Sequence, residues 1–176
     1  MKRKPLYYFI VLLMISASCT VTDKERAYIH KIDRLENALD SVSRHYYAVD
    51  TTELFNANNL INKHLSRLSS MDTIMGDTVK IYASMQKTFK RFISDHPLIL
   101  DEIRYSKKQL QTLKKDIRNG KISEMQMEKY FQEEKEAISV LMQKISFNAQ
   151  NITYQLKSFA QLHDSIGMHI NTIENR

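Results

Sequence analysis

The side chains of this 176-residue chain that could do chemistry do not stand at the spacings chemistry needs. Di-iron bundles use Glu-x-x-His pairs, and many zinc hydrolases use His-Glu-x-x-His on one helix face. None of His30, His45, His64, His96, His163 and His169 has an acidic residue three positions earlier, and His-Glu-x-x-His does not occur. Glu133, Glu134 and Glu136 form a small acidic cluster. Acid–base catalysis needs a cleft that shifts carboxyl pKa values, whereas acids amid polar helix positions form a solvated face. No strand-turn-helix elbow presents a serine nucleophile, and no glycine-rich loop cradles phosphate. The expectation is therefore a protein with no metal, no cofactor and no catalytic residue, and not an enzyme.

The one residue with a distinct chemical prospect is Cys19, the only thiol. Lys2, Arg3 and Lys4 precede an apolar run from Leu6 to Ile15, and Ser16, Ala17 and Ser18 lead into the cysteine. That run rises only about 18 Å as a helix, short of the ~30 Å of a bilayer core, so it reads as a cleaved export signal. Ser16-Ala17-Ser18 also satisfies the small-x-small rule of ordinary signal cleavage, which would leave a free thiol. The cysteine with its preceding segment resembles the lipobox of bacterial lipoproteins. The resemblance implies residues 1–18 as signal peptide, palmitate-type acylation of Cys19, and residues 19–22 as a short tether. Thr20 after the cysteine, in place of an aspartate, implies outer-membrane sorting, and the lack of a following acidic run implies the periplasmic side. Loss of residues 1–18 removes Lys2, Arg3 and Lys4 and lowers the net charge from +6 to +3. Such a balance does not make a nucleic-acid footprint.

Residues 23–176 read as one all-α domain. Only one proline, Pro97, and three glycines interrupt them, amid abundant Leu, Ile, Met, Lys, Glu and Gln. Tyr28, Ile32, Leu35, Leu39, Val42, Tyr46 and Val49 alternate steps of four and three, which aligns them along one helix face. Thr22 with Glu25 makes a capping box at its start. Asp50 interrupts, and Leu54, Ala57, Ile61, Leu65 and Leu68 carry an apolar face onward. A second limb begins near Asp77 with Ile81, Met85, Phe89 and Phe92 inward. Asp95-His96-Pro97 is expected to break it, since proline lacks an amide donor. Ile99, Ile103, Ser106, Leu110, Leu113 and Ile117 resume the spacing, and Asn119-Gly120 ends it as a C-cap. Ser123 with Gln126 caps the last limb, whose stripe runs from Met127 to Ile173 and includes Asn148, Gln155 and His169. These three polar residues either fix register or lie at the stripe's edge.

Limbs at 23–69, 77–118 and 123–173, joined by short turns, predict an elongated, bent, up-down-up three-helix bundle with coiled-coil-like packing. If the breaks at Asp50 and Pro97 are reversals, a compact five-helix bundle results.

Three surfaces remain as candidate sites. Lys107, Lys108, Lys114, Lys115, Arg118 and Lys121 crowd the end of the second limb, where they would meet anionic lipid. Asp50-Thr51-Thr52, Asp72-Thr73-Ile74 and Asp77-Thr78-Val79 resemble the acceptor motif of bacterial general O-glycosylation, which makes Thr51, Thr73 and Thr78 candidates; Asp-Thr pairs also cap helices. Finally, Ile152, Leu156, Phe159, Ile166 and Ile170 are expected to form a face that docks a partner helix or a second copy. Together these features predict an outer-membrane-anchored scaffold or interaction lipoprotein of the envelope. The alternative is an envelope module binding a small apolar or anionic ligand between helices.

Overall fold

Four helices carry the chain in a computed structural model that describes residues 21–70 and 76–175. They are α1 (Asp23–Tyr47), α2 (Thr51–Ser70), α3 (Gly76–Arg118) and α4 (Glu124–Glu174). The count is four, not three or five, and the two anticipated breaks explain why. Asp50 is a true break: its Oδ1 accepts the amides of Thr52 and Glu53, each at 2.9 Å, so a new helix starts at Thr51. Pro97 is not a break. It sits exposed inside the 43 continuous residues of α3. A proline in a helix interior costs about 3 kcal/mol, and burial of Phe92, Ile99 and Ile103 on either side offsets it at roughly 2 kcal/mol each.

The ends are built as their sequences dictate. Thr22 and Glu25 exchange side-chain and backbone hydrogen bonds in a full capping box. At the other junction the Gly120 amide donates to Ile117 O and Lys121 to Asp116 O, both at 3.0 Å, with Gly120 at φ 60°. This is a Schellman motif, and its left-handed residue favours glycine. The Ser123 amide then donates to Gln126 Oε1 at 2.8 Å and opens α4.

Pairings between helices give their directions. Lys114 reaches Asp33 and Lys107 reaches Asp40, so α3 runs antiparallel to α1. Farther along, Gln86 reaches Asn62 and Tyr82 reaches His64, so α2 continues down the same flank of α3 after the joint. Between α4 and this flank the offset stays nearly constant, from Lys24–Glu124 to Arg67–Asn171. A constant offset means parallel packing from end to end. At 1.5 Å per residue, the 51-residue α4 is about 77 Å long.

The core runs the length of the bundle. Tyr46, Tyr82, Phe89, Ile32, Leu39, Leu54 and Ile138 are fully buried within it. Two details differ from the expected stripes. In α3 the inward residue is Tyr82, while Ile81 is 48% exposed. In α4 the buried stripe passes through Leu141, Ile145 and Ala149 in two successive steps of four, which shifts it off Asn148. Such an insertion locally unwinds a left-handed supercoil and restores the straight-helix phase. Asn148 is left half-buried and donates back to Lys144 O at 2.8 Å; Gln155 is half-buried and His169 exposed. They are edge residues.

Candidate functional site

The face expected to dock a partner lies inside the bundle. Ile152, Phe159, Ile166 and Ile170 are buried, and Leu156 packs partly against the core. Their cover comes from α2 and the start of α3, since Phe159 meets the rings of Tyr82 and Phe89, and a Cβ placed on Gly167 would meet the His64 ring at 3.8 Å. The expectation fails because α2 continues the first limb past Asp50 and covers the distal half of α4.

The basic cluster is divided by ion pairs. Lys114, with a side chain only 16% exposed, holds Asp33 at 2.6 Å and Glu36 at 2.8 Å, and those hydrogen bonds raise its pKa. Lys107 pairs with Asp40, and Lys121 stands 3.4 Å from Asp116. Lys108, Lys115 and Arg118 remain exposed on the outer side of α3. Of the acceptor threonines, Thr51 is exposed in the first turn of α2, immediately after its capping aspartate. Thr78 belongs to the first turn of α3. Residues 1–18, Cys19 and Thr73 lie outside the described residues.

Histidines and tyrosines meet at two levels of the core. At the joint between α1 and α2, Tyr46 stacks on His96 with centroids 5.0 Å apart and meets Phe92 at a tilt, with centroids at 5.5 Å. Burial, with a smaller contribution from Asp95, pushes the Tyr46 pKa up to about 12, and burial lowers that of His96. A cavity of about 360 Å³ opens beside this stack, lined by Thr51, Thr52, Leu54, Phe55, Phe92, Ile93 and His96. The walls are mainly apolar. Asp50 already occupies the amides at the α2 N-terminus, and a neutral His96 offers no cation, so the cavity suits an uncharged apolar group. At the second level Tyr82 and His64 Nδ1 lie 3.0 Å apart, and Phe159 and His163 extend the stack. Burial drives the Tyr82 pKa to about 12; burial first, then the charge of Arg67, lowers that of His64. The pair is neutral at pH 7, with the hydroxyl able to donate to Nδ1. Among the described residues, no three His, Cys, Asp or Glu side chains gather as a metal site would require. No helix among them is long and apolar enough to cross a membrane.

The most unusual surface is on the outside of α4. Val140 (66% exposed), Phe147 (62%), Tyr154 (66%) and Met168 (66%) recur at multiples of seven residues. A seven-residue repeat keeps them in one row along the helix, and this row faces away from the buried stripe. Gln161 fills the remaining position in the row. From Val140 to Thr172 the only acidic or basic residues besides histidine are Lys144, Lys157 and Asp164, whereas 26% of the whole chain is charged. Charge depletion with enrichment in aromatic residues and Met is the compositional mark of an interface centre. The residues expected to form a docking face are buried, and the exposed apolar row stands on the opposite side of the same helix. The signal was present as a second heptad row, half a turn from the first.

The chain matches no protein-family model, no curated protein and no solved structure.

Proposed function

We propose that this chain is a membrane-tethered interaction protein of the cell envelope, docking a helical partner along the outer face of α4. Acylated Cys19 would hold it to the outer membrane on the periplasmic side, and the long bundle would carry the docking row away from the lipid. The observation that carries this reading is the row Val140, Phe147, Tyr154 and Met168, exposed on a stretch of helix nearly free of charge. Solvent-facing apolar residues in one continuous line favour association, because water is released when a complementary surface covers them. No catalytic role enters the proposal.

The test is paired replacement of Phe147 and Tyr154 by Asp. On native electrophoresis of the gently solubilised envelope, the wild-type chain should migrate in a complex and the double variant as a monomer of unchanged helicity. If both migrate alike as monomers, the docking reading fails.

A second reading rests on the joint cavity, which fits a neutral apolar ligand better than the anionic one also considered. Filling it by Thr52→Trp would abolish uptake of an apolar fluorescent probe by the purified chain. Equal uptake by both would discard the reading.

A further inference from the structure

We infer that the occupant of the α4 outer face is a second copy of this chain, aligned parallel and in register. The inference rests on the docking reading above and identifies the partner. Three observations lead to it.

The first is size. The row and its flanks extend from Val140 to Thr172, about 50 Å of helix, and a helix presents a face about 10 Å wide. Pairing with a copy would cover roughly 500 Å² on each chain, or about 1,000 Å² in total, which reaches the lower bound for a specific interface.

The second is charge. A face with little charge of its own offers nothing to steer an acidic or basic partner, yet it does not repel its own copy. Gln143, Gln150, Asn151, Ser158, Gln161 and Ser165 flank or interrupt the row, and each side chain both donates and accepts. Identical residues brought together can therefore satisfy one another. The three charged residues at the edges do not oppose this, and exposed Asp164 has His163 Nε2 beside it at 3.0 Å. Lys144 is held at 2.7 Å by Glu102 of α3, and the exposed Lys157 can carry its ammonium outward on its methylene stem.

The third is register. In a parallel, in-register pair, Val140, Phe147, Tyr154 and Met168 each meet their own counterpart, and Gln161 meets Gln161. In an antiparallel pair centred on Tyr154, Phe147 would lie on Gln161 and bury an amide against a ring. One polar residue in an otherwise apolar heptad row selects its own register in this way. The parallel arrangement also leaves both N-termini at one end, as two chains tethered to one membrane require.

Single-cysteine cross-linking of the full chain in its envelope tests the inference. A disulfide needs Cα atoms within about 7 Å, so Val140→Cys and Gln161→Cys should each give a covalent dimer under mild oxidation. The unsubstituted chain, whose only thiol is Cys19, is the control and should give none. Both positions are exposed, and an unchanged thermal melt confirms that each variant folds. A dimer formed only when Val140→Cys and Met168→Cys chains are co-expressed means antiparallel pairing and overturns the parallel register. If neither single variant cross-links to itself, but a photoreactive residue at position 154 captures a different protein, self-pairing is overturned and the docking reading stands. With no adduct of either kind, both are overturned.

Discussion

Phe159 and Phe147 lie on the same helix twelve positions apart, and the structure assigns them opposite roles. Phe159 is 7% exposed and touches three rings: Tyr82 with centroids at 6.0 Å, Phe89 at 6.3 Å and His163 at 4.9 Å. Truncating a buried phenylalanine to alanine removes its transfer free energy and leaves a cavity, at a cost of about 3–5 kcal/mol. In a domain of this size each kcal/mol lowers the Tm by about 2–4 °C, so Phe159→Ala should melt about 6–20 °C below wild type. Phe147 is 62% exposed, and surface changes away from special features stay within about 0.5 kcal/mol, so Phe147→Ala in dilute monomer should move the Tm by less than about 2 °C. Far-ultraviolet circular dichroism during a thermal ramp measures both, because the fold is almost entirely helical. Equal shifts, or a larger one for Phe147, would refute the assignment of α4's inner and outer faces.

The remaining predictions concern titration and charge. His64 and His96 have folded-state pKa values below the ordinary histidine value, with burial as the first cause, so the unfolded chain takes up their protons more readily. Stability is therefore complete above about pH 6.5 and should fall as pH drops below it, by at most about 1.4 kcal/mol per pH unit for each histidine. Urea midpoints from pH 7.5 to 5 should show this, with a shallower slope in His96→Phe; a pH-independent midpoint in the wild type would contradict it. Lys114→Met should destabilise by roughly 1–3 kcal/mol, because it leaves Asp33 and Glu36 facing each other without their shared cation. Lys115→Met, at an exposed position, should shift the urea midpoint negligibly, and equal effects would show that the Lys114 pairs do not stabilise the bundle.

Much of the architecture was legible in the sequence, and the errors have a common cause. A side chain that caps the next helix, more than a breaker residue alone, distinguishes a real helix end from an apparent one. Across Pro97 the phase is unbroken: Phe92, His96, Ile99 and Ile103 keep the alternation of four and three, and α3 continues. Across Asp50 it slips by one residue, with Tyr46 and Leu54 eight apart, as it also does from Leu141 to Ala149 inside α4; the helix ends at Asp50 because that side chain takes the amides of Thr52 and Glu53. The caps at Thr22, Gly120 and Ser123 were readable because their hydrogen bonds are local. Which side of α4 is covered was not local. It depends on α2 continuing beside the distal half of α4, and on the step from Ile145 to Ala149 that rotates the buried stripe. The outer row has the same period as the inner stripe, so the period marks a helix without saying which side is covered. The joint cavity arises only where two helix ends meet α3, and no sequence period encodes it.

The central claim, that the outer face of α4 is the docking surface, is tested most directly by a photo-cross-linking scan in intact cells. A photoreactive residue would replace, one at a time, each exposed position of α4 from Val140 to Met168, with exposed Lys108 and Lys115 of α3 as reference positions. Adducts should peak at positions 140, 147, 154, 161 and 168, fall between them with the helical period, and be absent at 108 and 115. Adducts without period, or confined to the two α3 positions, would contradict the account.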